Sequence, residues 1–136
     1  MEYRILFSYF LTVPFFVALD LLWIGYLSGN LYTSRIGHLL APSVNWYAAA
    51  AFYLVFTLGL YYFAVFHGVS RQSLPAAVIA GALFGFFAYA TYDLTNMATL
   101  KNWPLSITLI DMVWGAVLSG AVAAIGYGIN QVIVDA

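Results

Sequence analysis

Four stretches of this chain, roughly 5–26, 44–66, 76–100 and 105–129, are so continuously apolar that in water each would need burial on every side. A hydrocarbon core takes about 20 mostly apolar residues per helical crossing. The stretches therefore predict an all-α integral membrane four-helix bundle, with residues 1–136 forming a single transmembrane domain. Composition agrees: 65% of the residues are hydrophobic and 7% are charged, against about 25% charged in an average soluble domain. A membrane β-barrel would instead show short segments of period two, and a run such as AAVIAGALFGFF has no such alternation.

The first stretch, ILFSYFLTVPFFVALDLLWIGY, lacks a basic leader and a small-residue cleavage site and is too long for a secretory h-region. It reads as a retained span, with Pro14 in its interior as a candidate kink. The absence of cysteine removes disulfides, thiolate nucleophiles and Cys-based metal centres. Four basic residues scattered singly, with a net charge of −1, offer no stripe for a phosphate backbone, which argues against nucleic acid as a partner.

The connections add detail. LSGNLYTSRIGHLLAPS, between the first two spans, places Tyr32, Ile36, Leu39 and Leu40 on one helical face. It predicts a short interfacial helix with Asn30 as its N-cap. HGVSRQSLP and KNWP are brief, so the third and fourth spans should be antiparallel neighbours, with Pro104 near a helix start. Small residues recur every four positions on the third span (Ala77, Gly81, Gly85) and the fourth (Ala116, Gly120, Ala124, Gly128). Such stripes permit close helix approach, within the bundle or between copies in a homo-oligomer. Arg4 and Arg71 lie at the N-terminal side of the membrane (side A) and Arg35 and Lys101 at the other (side B), a two-against-two balance that sets no orientation. Even-numbered spans suggest both termini on the cytoplasmic side of a plasma membrane.

Against this apolar background the acids stand out. Asp20 and Asp93 precede the side-B ends of their spans by about six or seven residues, and Asp111 follows the side-B start of its span by as many. At 1.5 Å per residue, all three carboxylates lie ~10 Å below the same membrane face. Polar neighbours recur one turn away: Trp23 from Asp20, Tyr89 and Asn96 from Asp93, and Thr108 and Trp114 from Asp111. An indole N–H or an amide can donate to a carboxylate at that spacing.

Carboxylates kept close together out of water cannot all stay ionised. Such a group shares protons, binds a cation, or pairs with Arg35 or Lys101 at the side-B mouth, where His38 also stands as a candidate metal ligand. Each solution implies a different function. Proton sharing suits a carrier or an acid–base site, a divalent cation suits a phosphate-bearing head group, and ion pairing suits a structural role or a zwitterionic pocket. Intramembrane acids are functional by default, although Asp20 could reach the interface alone and all three could serve only as hydrogen bonders between helices.

Taken together, DLLWIGY, YDLTNMATLKNWP and DMVWG resemble a family of small bacterial predicted membrane proteins classed only as a domain of unknown function. The resemblance implies four helices over essentially the whole chain and draws attention to Asp20, Asp93, Asn96, Trp103, Pro104, Asp111 and Trp114. It implies no activity. With no Ser–His–Asp arrangement, H-E-x-x-H or phosphate loop in the chain, any chemistry would rest on Asp93 and Asp111. Three readings follow: an acidic intramembrane pocket for a lipid-like or small ligand or a cation, a proton- or cation-coupled transporter acting as a homo-oligomer, and an accessory membrane subunit.

Overall fold

Two side-chain caps decide where the inner helices begin. The Asn45 carboxamide oxygen accepts from the Ala48 N–H at 3.1 Å, and Ser73 Oγ accepts from the Ala76 N–H at 3.2 Å. Each satisfies a donor that the first turn of a helix leaves free. In a computed structural model, which describes residues 2–135, five helices follow one another with no strand among the described residues. Helix α1 (Glu2–Leu22) runs on as a π-helical turn (Trp23–Leu27), and α2 (Leu31–Ile36) ends in a 3₁₀ turn (Gly37–Leu39). Helix α3 comprises Trp46–Leu60, a π-helical turn Tyr61–Val65 and a last α-helical turn Phe66–Ser70. Helices α4 (Leu74–Thr99) and α5 (Leu105–Asp135) complete the chain.

Four helices are long and apolar enough to cross a membrane: Tyr3–Leu27, Trp46–Ser70, Leu74–Thr99 and Leu105–Ile133. Their ends depart from the apolar runs for local reasons. Asn45 holds the start of α3 at Trp46, and Ser73 draws Pro75 into the first turn of α4. At the other end, α3 carries on to Ser70, where Gln72 turns left-handed (φ +51°). There Ser73 N–H donates to the Gly68 carbonyl and Gln72 N–H to that of Val69, the paired closure that ends many helices. Asn102 (φ +58°) makes the corresponding reversal in KNWP, a conformation asparagine tolerates better than most residues. The expected cap at Asn30 takes another form: its side chain makes no capping bond, and its main-chain carbonyl accepts from Ser34 N–H.

Helix α5 is the most buried of the four spans and packs most extensively on α4, then on α1, while α3 lies against α4 and α1. The interior sets polar side chains beside an apolar core of Phe16, Leu60, Val65, Leu118 and Val122, and the outer face is apolar. Ser8, Thr12, Asp20, Thr57, Asp93 and Asp111 are all buried, while Phe7, Phe10, Val55, Phe87, Val113 and Val117 face outward. Lipid gives no reward for hiding a leucine and charges heavily for an exposed polar group, so a membrane bundle sorts its side chains this way.

The small residues of α4 act inside the bundle. Ala77 meets Gly68 of α3, and Gly81 and Gly85 meet Gly115, Ser119 and Ala123 of α5. On α5, the residues pressed against α4 thus lie one position away from the stripe read in the sequence. Of that stripe, Gly120 faces Val78 and Ala82 of α4 at ordinary contact distance, whereas a Cβ at Gly128 would meet nothing within 4 Å.

A methyl group at Gly85 would collide with the Gly115 carbonyl and Ser119 Oγ. Gly85→Ala is therefore expected to cost about 1–3 kcal/mol through overpacking. Gly128→Ala should be neutral or stabilising by ~1 kcal/mol at most. Unfolding of both variants in mild detergent, followed by helical circular dichroism, checks the contrast.

Candidate functional site

All three aspartates of the sequence reading end in the bundle interior, with relative exposures of 4% for Asp20, 0% for Asp93 and 8% for Asp111. They come from α1, α4 and α5 and lie within electrostatic reach of one another: Asp20 senses Asp111, and Asp111 lies within hydrogen-bonding reach of Asp93. Among the described residues, no basic side chain figures in the electrostatics of Asp20, Asp93 or Asp111. Arg35, His38 and Lys101, placed at the mouth by the sequence reading, are exposed and do not line the cavity described below.

Hydroxyl donors take the place of the basic partners. Tyr53 Oη of α3 donates to Asp20 Oδ2 at 2.9 Å. Tyr32 Oη of α2 donates to Asp111 Oδ1 at 2.5 Å and accepts from Trp23 Nε1 at 2.9 Å. Burial first, and then the bond to Asp111, hold the Tyr32 phenol well above the ordinary tyrosine range, so it remains a neutral donor. The two D-x-x-W blocks consequently cross over. Trp23 does not serve its own Asp20 but reaches Asp111 through Tyr32, while the indole N–H of Trp114 is turned toward Asp20 and has no hydrogen-bond partner. The two indoles stack with centroids 4.7 Å apart and planes 15° from parallel.

Beside this stack lies a cavity of about 590 Å³, within the usual range for small-molecule sites. Asp20, Asp111, Trp23, Trp114 and Tyr89 line it together with Phe52 and Phe56. It extends to Ser28, Gly29 and Thr33 in the α1–α2 connection, the side-B end of the bundle. Tyr89 lies across Gly115, where any side chain would displace its ring.

The remaining candidates lie outside the cavity wall. Both Asp93 oxygens are buried without a donor among the described residues, and Asp111 lies alongside. Thr108 accepts from Trp103 Nε1 at 3.1 Å, tying the KNWP turn to α5. Asn96 is half-buried, and its main-chain carbonyl accepts from Leu100 N–H at the end of α4. Among the described residues, no three His or carboxylate side chains come together in a group that could hold a metal ion.

Two hydrogen-bonding residues were missed by sequence reasoning. Tyr32 falls on the apolar face predicted for the interfacial helix, and nothing in the sequence sets Tyr53 apart within its apolar span. A phenol reads as apolar on a helical wheel, yet its hydroxyl seeks a partner when buried, and that was the available signal.

The chain belongs to the family described as predicted membrane protein (DUF2177), whose family model matches residues 5–128. No curated protein and no solved structure gives a significant match.

Tyr32→Phe removes the link between Trp23 and Asp111 and leaves a largely buried carboxylate oxygen short of a donor. A loss of about 1–3 kcal/mol in stability is expected, the usual penalty for such an orphan. Tyr47→Phe, at a side chain 92% exposed, should be silent. Thermal unfolding of the two variants in the same detergent separates them.

Proposed function

We propose that this integral membrane protein binds a small or lipid-like ligand in the acidic, aromatic-walled cavity at the α1–α2 end of its bundle. One observation carries the reading: carboxylates from two different helices, each more than nine-tenths buried, stand in the wall of a single cavity that reaches the side-B loop. Burying acids in a span is costly, and a chain needing only helix-to-helix hydrogen bonds has neutral residues for that purpose. Asp20 Oδ2 and Asp111 Oδ1 are held by tyrosines, which orients both carboxylates. A helical bundle, rather than a barrel, suits an inner (plasma) membrane.

A second reading, coupled transport of protons or cations by a homo-oligomer, has its own support. Buried polar atoms continue beyond the cavity toward side A, at Ser119 Oγ, Thr57 Oγ1, Ser8 Oγ and Asn130 Oδ1, each lacking a protein partner. Buried polar atoms spaced along a bundle that also holds paired carboxyls are elements from which a proton relay is built.

Native mass spectrometry of protein released from lipid nanodiscs tests the first reading. A discrete adduct is expected on the wild type and should be lost from Asp20→Asn and Asp111→Asn; bare protein in all three samples would reject ligand binding. For the second, reconstituted liposomes should show a pH-gradient-driven flux that Asp93→Asn abolishes, and a flux that survives the substitution argues against coupling through this pair.

A further inference from the structure

The character of the cavity narrows the chemistry of its occupant. Its walls carry two kinds of recognition group. Carboxylates stand at Asp20 and Asp111, and aromatic surfaces surround them from the Trp23–Trp114 stack, Tyr89 and Phe56. Only one oxygen of each wall carboxylate takes a tyrosine hydrogen bond. Asp20 is only 4% exposed, and the Trp114 indole N–H turned toward it is buried without a hydrogen-bond partner of its own.

Three ligand classes can be weighed against this. An anionic head group would bring negative charge against two carboxylates, and none of Arg35, His38 and Lys101 stands in the wall to offset it. A metal ion needs ligands that converge, and no three carboxylate or imidazole groups do so among the described residues. An organic cation answers both features of the wall at once. Aromatic rings attract an ammonium through their π faces, most strongly where water is excluded, and a buried carboxylate supplies the counter-charge. Rings with an acid beside them are the usual cage for such groups.

Building on the ligand-binding reading above, we infer that the cavity takes an organic ammonium group, with Asp20 and Asp111 as counter-ions and the Trp23–Trp114 stack, Tyr89 and Phe56 as the cage. A free amine and an amine-bearing lipid share this chemistry. The volume of about 590 Å³ exceeds what a bare ammonium group fills, so the remainder of the cavity holds the group to which the cation is attached.

The test uses the full chain in maltoside micelles, which carry no charge of their own. Trp46→Phe and Trp103→Phe leave Trp23 and Trp114 as the only tryptophans, so emission reports on the cavity. Choline is titrated against its neutral carbon isostere, 3,3-dimethylbutan-1-ol, and against butyl phosphate. Dihexanoyl phosphatidylethanolamine is titrated against the phosphatidylglycerol of the same chain length. Saturable emission changes are expected with choline or with the ethanolamine lipid but not with their partners; the tighter of the two identifies the source. Asp20→Asn and Asp111→Asn should each weaken binding roughly tenfold, the effect of losing a desolvated counter-ion, and Asp111→Glu should restore much of it.

If the neutral alcohol or the phosphatidylglycerol binds as well as its cationic partner, the ammonium assignment is overturned while the ligand cavity stands. Cation binding indifferent to both Asp→Asn substitutions overturns it equally. If no titrant moves the emission and the native spectra show bare protein, the ammonium inference and the ligand-binding reading fall together.

Discussion

The absence of water in the bilayer core is the constraint on which this structure depends. A carboxylate there must find its partners within the protein, and three of them at one depth need partners from several helices. Tyr53 of α3 serves Asp20 of α1, and Tyr32 of α2 serves Asp111 of α5, so the acids act as ties between segments distant in sequence. Asp93 is the exception. It has no protein donor, only a neighbouring carboxyl, and its burial at 0% exposure makes sense only beside Asp111. The same constraint lets many leucines and phenylalanines face outward and places serine, threonine and glycine in the helix seams.

The short helix α2 is part of the site. Tyr32 accepts from the indole of Trp23 and donates to Asp111, so the α1–α2 connection is anchored to α5 through one phenol. The π-helical turn at Trp23–Leu27 lies directly before this connection and carries the cavity residues Trp23 and Ile24. A π turn holds one more residue than an α turn and shifts the side chains after it around the axis, and such turns occur frequently at functional sites. Because α1 ends in one, the stretch from Trp23 to Thr33 forms the outer wall of the cavity.

Much of this was legible in the sequence, for reasons that also mark where reading stops. Length and apolarity specify a membrane helix strongly, so the four spans and the tight α4–α5 reversal could be read directly. Counting 1.5 Å per residue placed the three aspartates at one depth, because depth depends only on distance along a helix. Rotation about the axis is different: each residue turns a helix by about 100°, so a partner's face can be misjudged by one position. That is why the tightest α5 contacts on α4 fall at Gly115, Ser119 and Ala123, one position from the stripe of Ala116, Gly120 and Ala124, of which Gly120 still faces Val78 and Ala82. The hydrogen bonds of Tyr32 and Tyr53 span 79 and 33 residues, and no local pattern encodes which acid a phenol will meet.

The distribution of small and aromatic side chains along the bundle bears on where the acidic cavity lies. Toward side A the helices approach through small groups: Gly68 against Ala77, Gly81 against Ala123, and Gly126 against Val65 and Thr12. Toward side B the half-buried positions around the cavity hold Trp23, Trp114, Phe56 and Tyr89, rings that cannot interdigitate as closely as glycine and alanine. Stacked indoles fill the space between α1 and α5 beside the cavity. Asp93 is fully buried behind the wall, while Asp20 and Asp111 stand at the edge of the space. A uniformly small interior would have closed over the carboxylates, and a uniformly aromatic one would have lost the α4–α5 seam. The gradation from glycine to tryptophan along one bundle allows the same fold to bury its acids and keep two of them accessible.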